Sequence, residues 1–333
     1  MFNNLIIYFI LSFLLLLSCA IISYKLDLLD IPDERKKHSL PTAYTGGLAL
    51  SVAYIFSIQI LYVVGNKLNL ILSMAFLMAM IGFIDDKYKL NTGGKLSLQI
   101  IPIFYLIVVE NISLYQIGDY NYFRLELNSF SIPFTILCVL FLINSFNYFD
   151  GLDGTLSFTT ISVLIILYFL IDNKNTELFL LSILLPICIF LCFNFSLFNL
   201  PKMFLGDSGS LLLGFIIAFF LIYLANQKII HPILLAWSIA IFVYEFLSIN
   251  LIRLKNKKNI FRAGVDHLHH NLFERTNSIL LTNFLIFITN IILFIIGYAA
   301  FKFISPLISL ILFIFLFIIF FILRSNYFSS KNF

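Results

Sequence analysis

Long runs of Leu, Ile, Phe and Val, interrupted by short polar stretches, make up most of this chain of 333 residues. A helix crossing a bilayer needs about 20 apolar residues. The runs, bounded by charged residues or by Gly and Asn, predict eleven such spans: roughly 3-24, 46-64, 68-84, 96-113, 129-146, 155-171, 177-193, 209-225, 232-250, 279-298 and 303-323. One connection breaks the pattern. From about Ile112 to Asn128 polar and apolar residues alternate around Gly118 and Asp119, which predicts a small β-hairpin. No basic residue precedes the first run and ten more follow it, so Asn3 to Tyr24 reads as a retained helix and not as a signal peptide. With no soluble domain, Pro-rich linker, heptad array or fixed repeat in sight, the expected fold is all-α: residues 1-333 as a single polytopic integral membrane domain of about 10-11 transmembrane helices.

Composition agrees with that solvent. A chain with 61% hydrophobic and 11% charged residues and a mean hydropathy of +1.02 has no soluble surface. The four cysteines, Cys19, Cys138, Cys188 and Cys192, fall inside apolar spans without metal-ligand spacing and read as packing residues. The low-complexity Phe, Ile, Leu and Asn of the C-terminal half read as lipid-facing filler.

Charge sets the orientation, because short cytoplasmic loops accumulate Lys and Arg. With eleven spans and the N-terminus outside, sixteen of the 21 basic residues fall in inside loops, leaving Lys67, Arg124, Lys174, Lys228 and Lys302 outside. Five polar clusters then share the cytoplasmic side: Asp30 to Gly47, Gly82 to Asp86 (GFIDD), Asn144 to Gly154 (NSFNYFDGLDG), Pro201 to Ser210 (PKMFLGDSGS) and Phe261 to His270 (FRAGVDHLHH).

These clusters carry the candidate chemistry. A lone loop carboxylate is ordinarily a helix cap or simply solvated. Five of them, Asp85, Asp86, Asp150, Asp153 and Asp207, in three Gly-containing motifs at span ends are hard oxygen donors suited to Mg²⁺, which binds through a few carboxylates together with substrate phosphates. Gly206-Asp207-Ser208-Gly209-Ser210 opens a span, so its backbone N–H groups are placed to hold an anion. Phe204 offers a ring for stacking on a base, or simply packs. His267, His269 and His270 share a loop with Arg253, Lys255, Lys257, Lys258 and Arg262, a cationic patch suited to phosphates. A Zn²⁺ site is the alternative for the histidines, with no Cys or fourth ligand beside them. Arg35, Lys36, Lys37 and His38 serve as positive-inside anchors by default, although Pro32, Pro41 and Gly46-Gly47 shape their loop further.

The ordered series GFIDD, NxxNxxDGLDG, GDSGS and HLHH, from about Asp30 to Leu272, resembles the polyprenyl-phosphate N-acetylhexosamine-1-phosphate transferases of glycosyltransferase family 4. The HLHH loop is more similar to the UDP-N-acetylglucosamine branch than to the phospho-MurNAc-pentapeptide branch. The resemblance implies transfer of a sugar 1-phosphate from a UDP-N-acetylhexosamine to undecaprenyl phosphate in the bacterial cytoplasmic membrane, initiating a lipid-linked envelope glycan, with Mg²⁺, or Mn²⁺ in its place, as cofactor. It implies Asp85 and Asp86 as the catalytic pair and Asp207 as the metal aspartate, with the pair as further candidate ligands. Asn144, Asn147, Asp150 and Asp153 fall on the nucleotide side, Phe204 near uracil, and His267, His269 and His270 at the sugar nucleotide. Lys36, His38, Lys95 and Gln99 match positions at the lipid phosphate or the loops. Two departures bear on the sugar: Ala43 stands where the first loop has a second Pro, and Val265 where the histidine loop has Arg. Expected partners are the two substrates and membrane lipids, with a homodimer allowed and no nucleic acid. The rival class is a transporter or flippase, which places ionisable groups near the bilayer midplane. Here only Glu245 lies well within a span.

Overall fold

Every predicted apolar run forms helix in the computed structural model, which describes residues 2–32, 40–63, 65–258, 264 and 266–330. The helices are α1 (Phe2–Lys25), α2 (Gly46–Ile60), α3 (Asn66–Tyr88), α4 (Thr92–Phe104, continuing as a π-helical turn over Tyr105–Val109), α5 (Ser131–Phe149), α6 (Thr155–Leu170), α7 (Lys174–Asn194), α8 (Gly206–Asn226), α9 (Pro232–Ser238), α10 (Ala240–Lys255), α11 (Leu268–Thr276), α12 (Ile279–Phe303) and α13 (Pro306–Ser330). Among the described residues eight helices are long and apolar enough to cross a membrane, and the bent pair α9–α10 makes a ninth. The other two predicted spans are the shorter apolar helices α2 and α6. The protein is therefore an all-α, multi-pass membrane protein, its outer helix faces carrying exposed Ile, Leu and Phe. The cysteines are free thiols; Cys188 is exposed and the other three half-buried, so they belong to helix faces more than to the core.

The chain forms two compact units. The first comprises Met1–Ile112 with Ile171–Phe220, the second Ser113–Leu170 with Leu221–Phe333. In the first unit α1 and α3 flank α2, and α7 packs on α1 and α2. Two-residue strands β1 (Leu29–Asp30) and β2 (Thr42–Ala43) pair antiparallel, and Ala43 continues the pairing as a bridge to Met203. Phe204 N then donates to Ala43 O (2.7 Å), while Gly46 N and Gly47 N donate to Phe204 O and Leu205 O (3.0 and 2.9 Å). The end of the first polar loop, Ala43 to Gly47, is thereby fixed against the segment leading into α8.

In the second unit the expected hairpin is present as β3 (Gln116–Asp119) and β4 (Arg124–Glu126), antiparallel with an irregularity at Ile117. The run predicted as one span over 232-250 is broken by 73° between α9 and α10. A break inside a membrane leaves backbone groups that lipid cannot satisfy. Asn290 of α12 meets this demand: its Nδ2 donates to Ser238 O (2.9 Å) and to Ser162 Oγ (2.9 Å), and its Oδ1 accepts from Ile241 N (3.3 Å). Asn283, two turns earlier on the same helix, is equally buried. These asparagines are structural contacts and not lipid-facing filler.

Candidate active site

Asp85 and Asp86 end α3, whose last turn closes through Lys89 in the left-handed region. Asp85 is nearly buried; its Oδ1 accepts from Leu90 N (2.9 Å) and its Oδ2 lies 2.7 Å from Lys95 Nζ. Lys95 stands in the first turns of α4, a helix capped by Asn91, which accepts from Gly94 N (2.7 Å). The same ammonium lies 2.6 Å from Asp207 Oδ2. One cation thus joins carboxylates from α3 and from the start of α8, which are 122 residues apart in sequence by way of their shared partner.

Asp86 faces the same helix start. Its Oδ1 accepts from Asp207 N (3.1 Å) and its Oδ2 from Ser208 N (3.3 Å). The anion at the α8 N-terminus, where partial positive charge favours one, is therefore a carboxylate of the protein itself. This closeness depends on Gly82, one turn before Asp86. A Cβ there would collide with the Asp207 carbonyl oxygen and come within 2.5 Å of Ser208 Cα. The glycine in GFIDD serves helix-to-helix approach. Gln99, one turn beyond Lys95, is fully buried.

The fit of this centre to Mg²⁺ follows from its donors. Among the described residues no three His, Cys, Asp or Glu side chains form a ready-made metal cluster. Carboxylates of Asp85 and Asp207 nonetheless converge on one positive charge, supplied here by Lys95. Two converging carboxylates are hard oxygen donors of the kind Mg²⁺ takes.

The second unit carries the remaining motif residues. Asn144, Asn147 and Asp150 lie half-buried on the last turns of α5 and just beyond, and Asp153 in the turn before α6. Asn144 Nδ2 bonds to Leu140 O within its own helix (2.7 Å). The DGLDG turn is held from α12: Asn283 Nδ2 donates to Asp153 O (2.8 Å) and Asn283 Oδ1 accepts from Thr155 Oγ1 (2.6 Å). His267 immediately precedes α11 without a side-chain capping bond, and its ring lies 4.6 Å from that of Tyr148 and 5.8 Å from that of His269. His269 and His270 have ring centroids 4.2 Å apart. Gly151 lets the two loops meet, since a Cβ there would collide with His269 Nε2 and stand 3.1 Å from His270 Nε2.

Burial drives the His267 imidazole down to about 3; Asp266 pulls the other way, while Arg253, His270 and Arg324 add to the depression. The ring is neutral at physiological pH. Burial pushes the Asp266 carboxyl up, but hydrogen bonding and charge from Arg253 outweigh it and hold the carboxyl below its ordinary range. Arg253, read from sequence as part of a cationic patch suited to phosphates, is almost fully buried, with Nε 2.9 Å from Asp266 Oδ2. Phe204 belongs to the first unit, with Lys202 Nζ 5.3 Å from its ring centroid. Lys36 and His38, like Arg262 and Val265, lie outside the described residues. Sequence reasoning passed over Asp266, Asn283 and Arg324. Asp266 had a signal in its place beside the histidines, and Arg324 had one in being a charge at the end of an apolar run.

Residues 68–225, which hold Asp85, Asp86, Lys95 and Asp207, match the model of glycosyl transferase family 4. The chain is related to glycosyl transferase family 4. This is the family that its motifs resemble. The chain is 26% identical to the undecaprenyl-phosphate alpha-N-acetylglucosaminyl 1-phosphate transferase of Yersinia pestis, across 81% of this chain and 76% of that protein. It is 26% identical to the enzyme of the same name from Escherichia coli K12, across 80% and 75%. A probable undecaprenyl-phosphate N-acetylglucosaminyl 1-phosphate transferase of Bacillus subtilis is 29% identical across 75% and 71%.

Proposed function

We propose that this family 4 relative transfers N-acetylglucosamine 1-phosphate from UDP-N-acetylglucosamine to undecaprenyl phosphate. The products are undecaprenyl-pyrophosphate-N-acetylglucosamine and UMP, made at the cytoplasmic face of a bacterial inner membrane. The observation that carries the reading is the convergence of Asp85 and Asp207 on Lys95, with Asp86 fixed at the α8 N-terminus, inside the matched family segment. The names of the relatives support the donor and the acceptor.

Phosphoryl transfer asks a protein mainly for positioning and charge neutralisation. An oxygen of the lipid phosphate attacks the β-phosphorus of the donor, the bond to the α-phosphate oxygen breaks, and UMP leaves with that electron pair. Lys95 is placed to neutralise phosphate charge and to hold Asp85 and Asp207 at a fixed separation. Asp86, committed to two backbone N–H groups, keeps the start of α8 in register with α3 and so places Asp207. Asp85 is the carboxylate available to orient the attacking phosphate or take its proton. Asp207, with Asp85, would hold Mg²⁺, which when bound supplies charge neutralisation for the pyrophosphate. In the second unit, Asn144, Asn147, Asp150, Asp153 and the three histidines offer neutral and acidic hydrogen-bonding groups suited to a nucleotide sugar.

The test is UMP release by detergent-purified protein given undecaprenyl phosphate and Mg²⁺, with UDP-N-acetylglucosamine and a panel of other UDP-sugars. Release is expected with UDP-N-acetylglucosamine, and the Asp207→Asn and Asp85→Asn variants are expected to lose about 10²-fold or more in kcat. Release that persists without the lipid, or that survives Asp207→Asn, would sink the reading. So would silence across the panel from folded protein.

A further inference from the structure

Helix α13 lies beyond the matched family segment, and only 6% of its most apolar window is buried. Among its described side chains just two are buried, and both are polar: Ser309 and Arg324. Ser309 Oγ accepts from Trp237 Nε1 (2.9 Å) and donates to Gly297 O (2.9 Å), which fixes the beginning of the helix. Arg324 does something else. Its Nη2 donates to Glu245 Oε1 (2.7 Å) and to the backbone carbonyl of Asp266 (2.9 Å). The same Glu245 Oε1 accepts from Leu268 N (2.8 Å). One buried ion pair therefore grips the backbone on both sides of His267, through the carbonyl before it and the N–H after it. Arg253 adds a bond to the Asp266 side chain.

An apolar helix docks on its neighbours without ions, and exchanging a buried ion pair for apolar side chains often leaves stability unchanged or raised. Stability alone therefore gives no reason for a guanidinium and a carboxylate at this place, whereas fixing a loop does. An ionisable residue inside a membrane span is a functional candidate by default, and Glu245 is one that the transfer chemistry leaves unused.

We propose that Arg324 and Glu245 are positioning residues that clamp the histidine loop, holding the backbone on either side of His267 so that the three imidazoles are presented to the nucleotide-sugar donor. The proposal rests on the transferase reading for the identity of that ligand, but the clamp has a readout of its own in the backbone exchange of the loop.

The variant pair is Glu245→Met/Arg324→Met, which removes both grips without leaving a charge buried alone, and Arg324→Lys, which keeps the charge on a shorter side chain. KM for UDP-N-acetylglucosamine, KM for undecaprenyl phosphate, kcat, and amide hydrogen exchange over residues 266–271 are measured on full-length protein in detergent. The double variant is expected to raise the donor KM about tenfold, short of the about 10²-fold that a 1 Å misplacement can cost. The acceptor KM should stay put and exchange at Leu268 should quicken. Arg324→Lys should fall between wild type and double variant. An unchanged donor KM with unchanged exchange overturns the clamp, as does an equal rise in both KM values. If the double variant does not fold, the lysine variant decides by the same two readouts. If wild-type protein releases no UMP, the transferase reading falls by itself, and exchange at Leu268 still decides the clamp.

Discussion

The two centres are made of the same materials, carboxylates and glycines at helix ends, and are held in opposite ways. In the first unit the helix backbones themselves come close: Gly82 lies against Asp207 and Ser208, and the Asp86 carboxylate takes up the backbone N–H groups of the α8 N-terminus. In the second, each loop is held by a polar side chain buried under lipid-facing helices, Asn283 for the DGLDG turn and the Glu245–Arg324 pair for the histidines. Backbone contacts fix carboxylates with little freedom, as charge neutralisation at a reacting phosphorus requires. Side-chain props can be exchanged or lengthened without rebuilding helices.

The widest gap between the centres should appear when a single methyl group is added to each. Gly82→Ala forces a Cβ into the backbone of α8, which cannot yield without moving Asp207. Overpacking of this kind costs roughly 1–3 kcal/mol, and the displaced aspartate should lose about 10²-fold in kcat. UMP release and the thermal midpoint in detergent check both, and wild-type values for the pair would remove the distinction between the centres. Gly151→Ala instead meets imidazole nitrogens, which swing away. The fold should hold, with a midpoint near that of wild type. Donor KM should rise about tenfold, a part of the same 10²-fold scale, and kcat should move little. A collapse in stability for Gly151→Ala would show that the histidine loop is held as rigidly as the acid centre.

Much of this was readable from sequence, and the unread part has a common cause. Apolar run length located helix in each of the eleven predicted runs, though not the short α11, and the alternation around Gly118 located the hairpin, because both signals are local. The motif glycines and acids were found at helix ends for the same reason. Invisible were the relations between distant residues. Lys95 matched a family position, but nothing local says that it bridges Asp85 and Asp207. Arg253 looked like part of a cytoplasmic cationic patch because its partner, Asp266, lies across a loop. The break between α9 and α10 falls in an unbroken apolar run, so hydropathy cannot show it. Its trace lies elsewhere, in Asn290, which with Asn283, the anchor of the DGLDG turn seven residues earlier, makes a pair of buried amides on one face of an apolar helix. Such a pair in a membrane span calls for partners, just as the lone acid Glu245 calls for Arg324.

The smallest effect separates the centres by acid. His267 is neutral in the folded protein down to about 3, whereas an unfolded chain protonates it near 6.5. Between those values the unfolded state binds the extra proton, so stability rises with pH and is lost as pH falls from about 6.5 towards 3. Asp266, its carboxyl held low by Arg253, adds a loss of the same sign, but only as pH drops through the carboxylate range. The groups facing the ring are Asp266, Arg253, His269, His270, Arg324 and Tyr148. From pH 6.5 to 4.5, above the titration of Asp266, the slope assigned to His267 approaches the one-proton limit of about 1.4 kcal/mol per pH unit. A His267→Gln variant should flatten the fall of the thermal midpoint over this interval and leave the fall below pH 4 in place. Parallel curves for variant and wild type from pH 6.5 to 4.5 would mean that the ring is already charged in the fold, and that the loop holds a cation at the place where the structure puts a neutral donor.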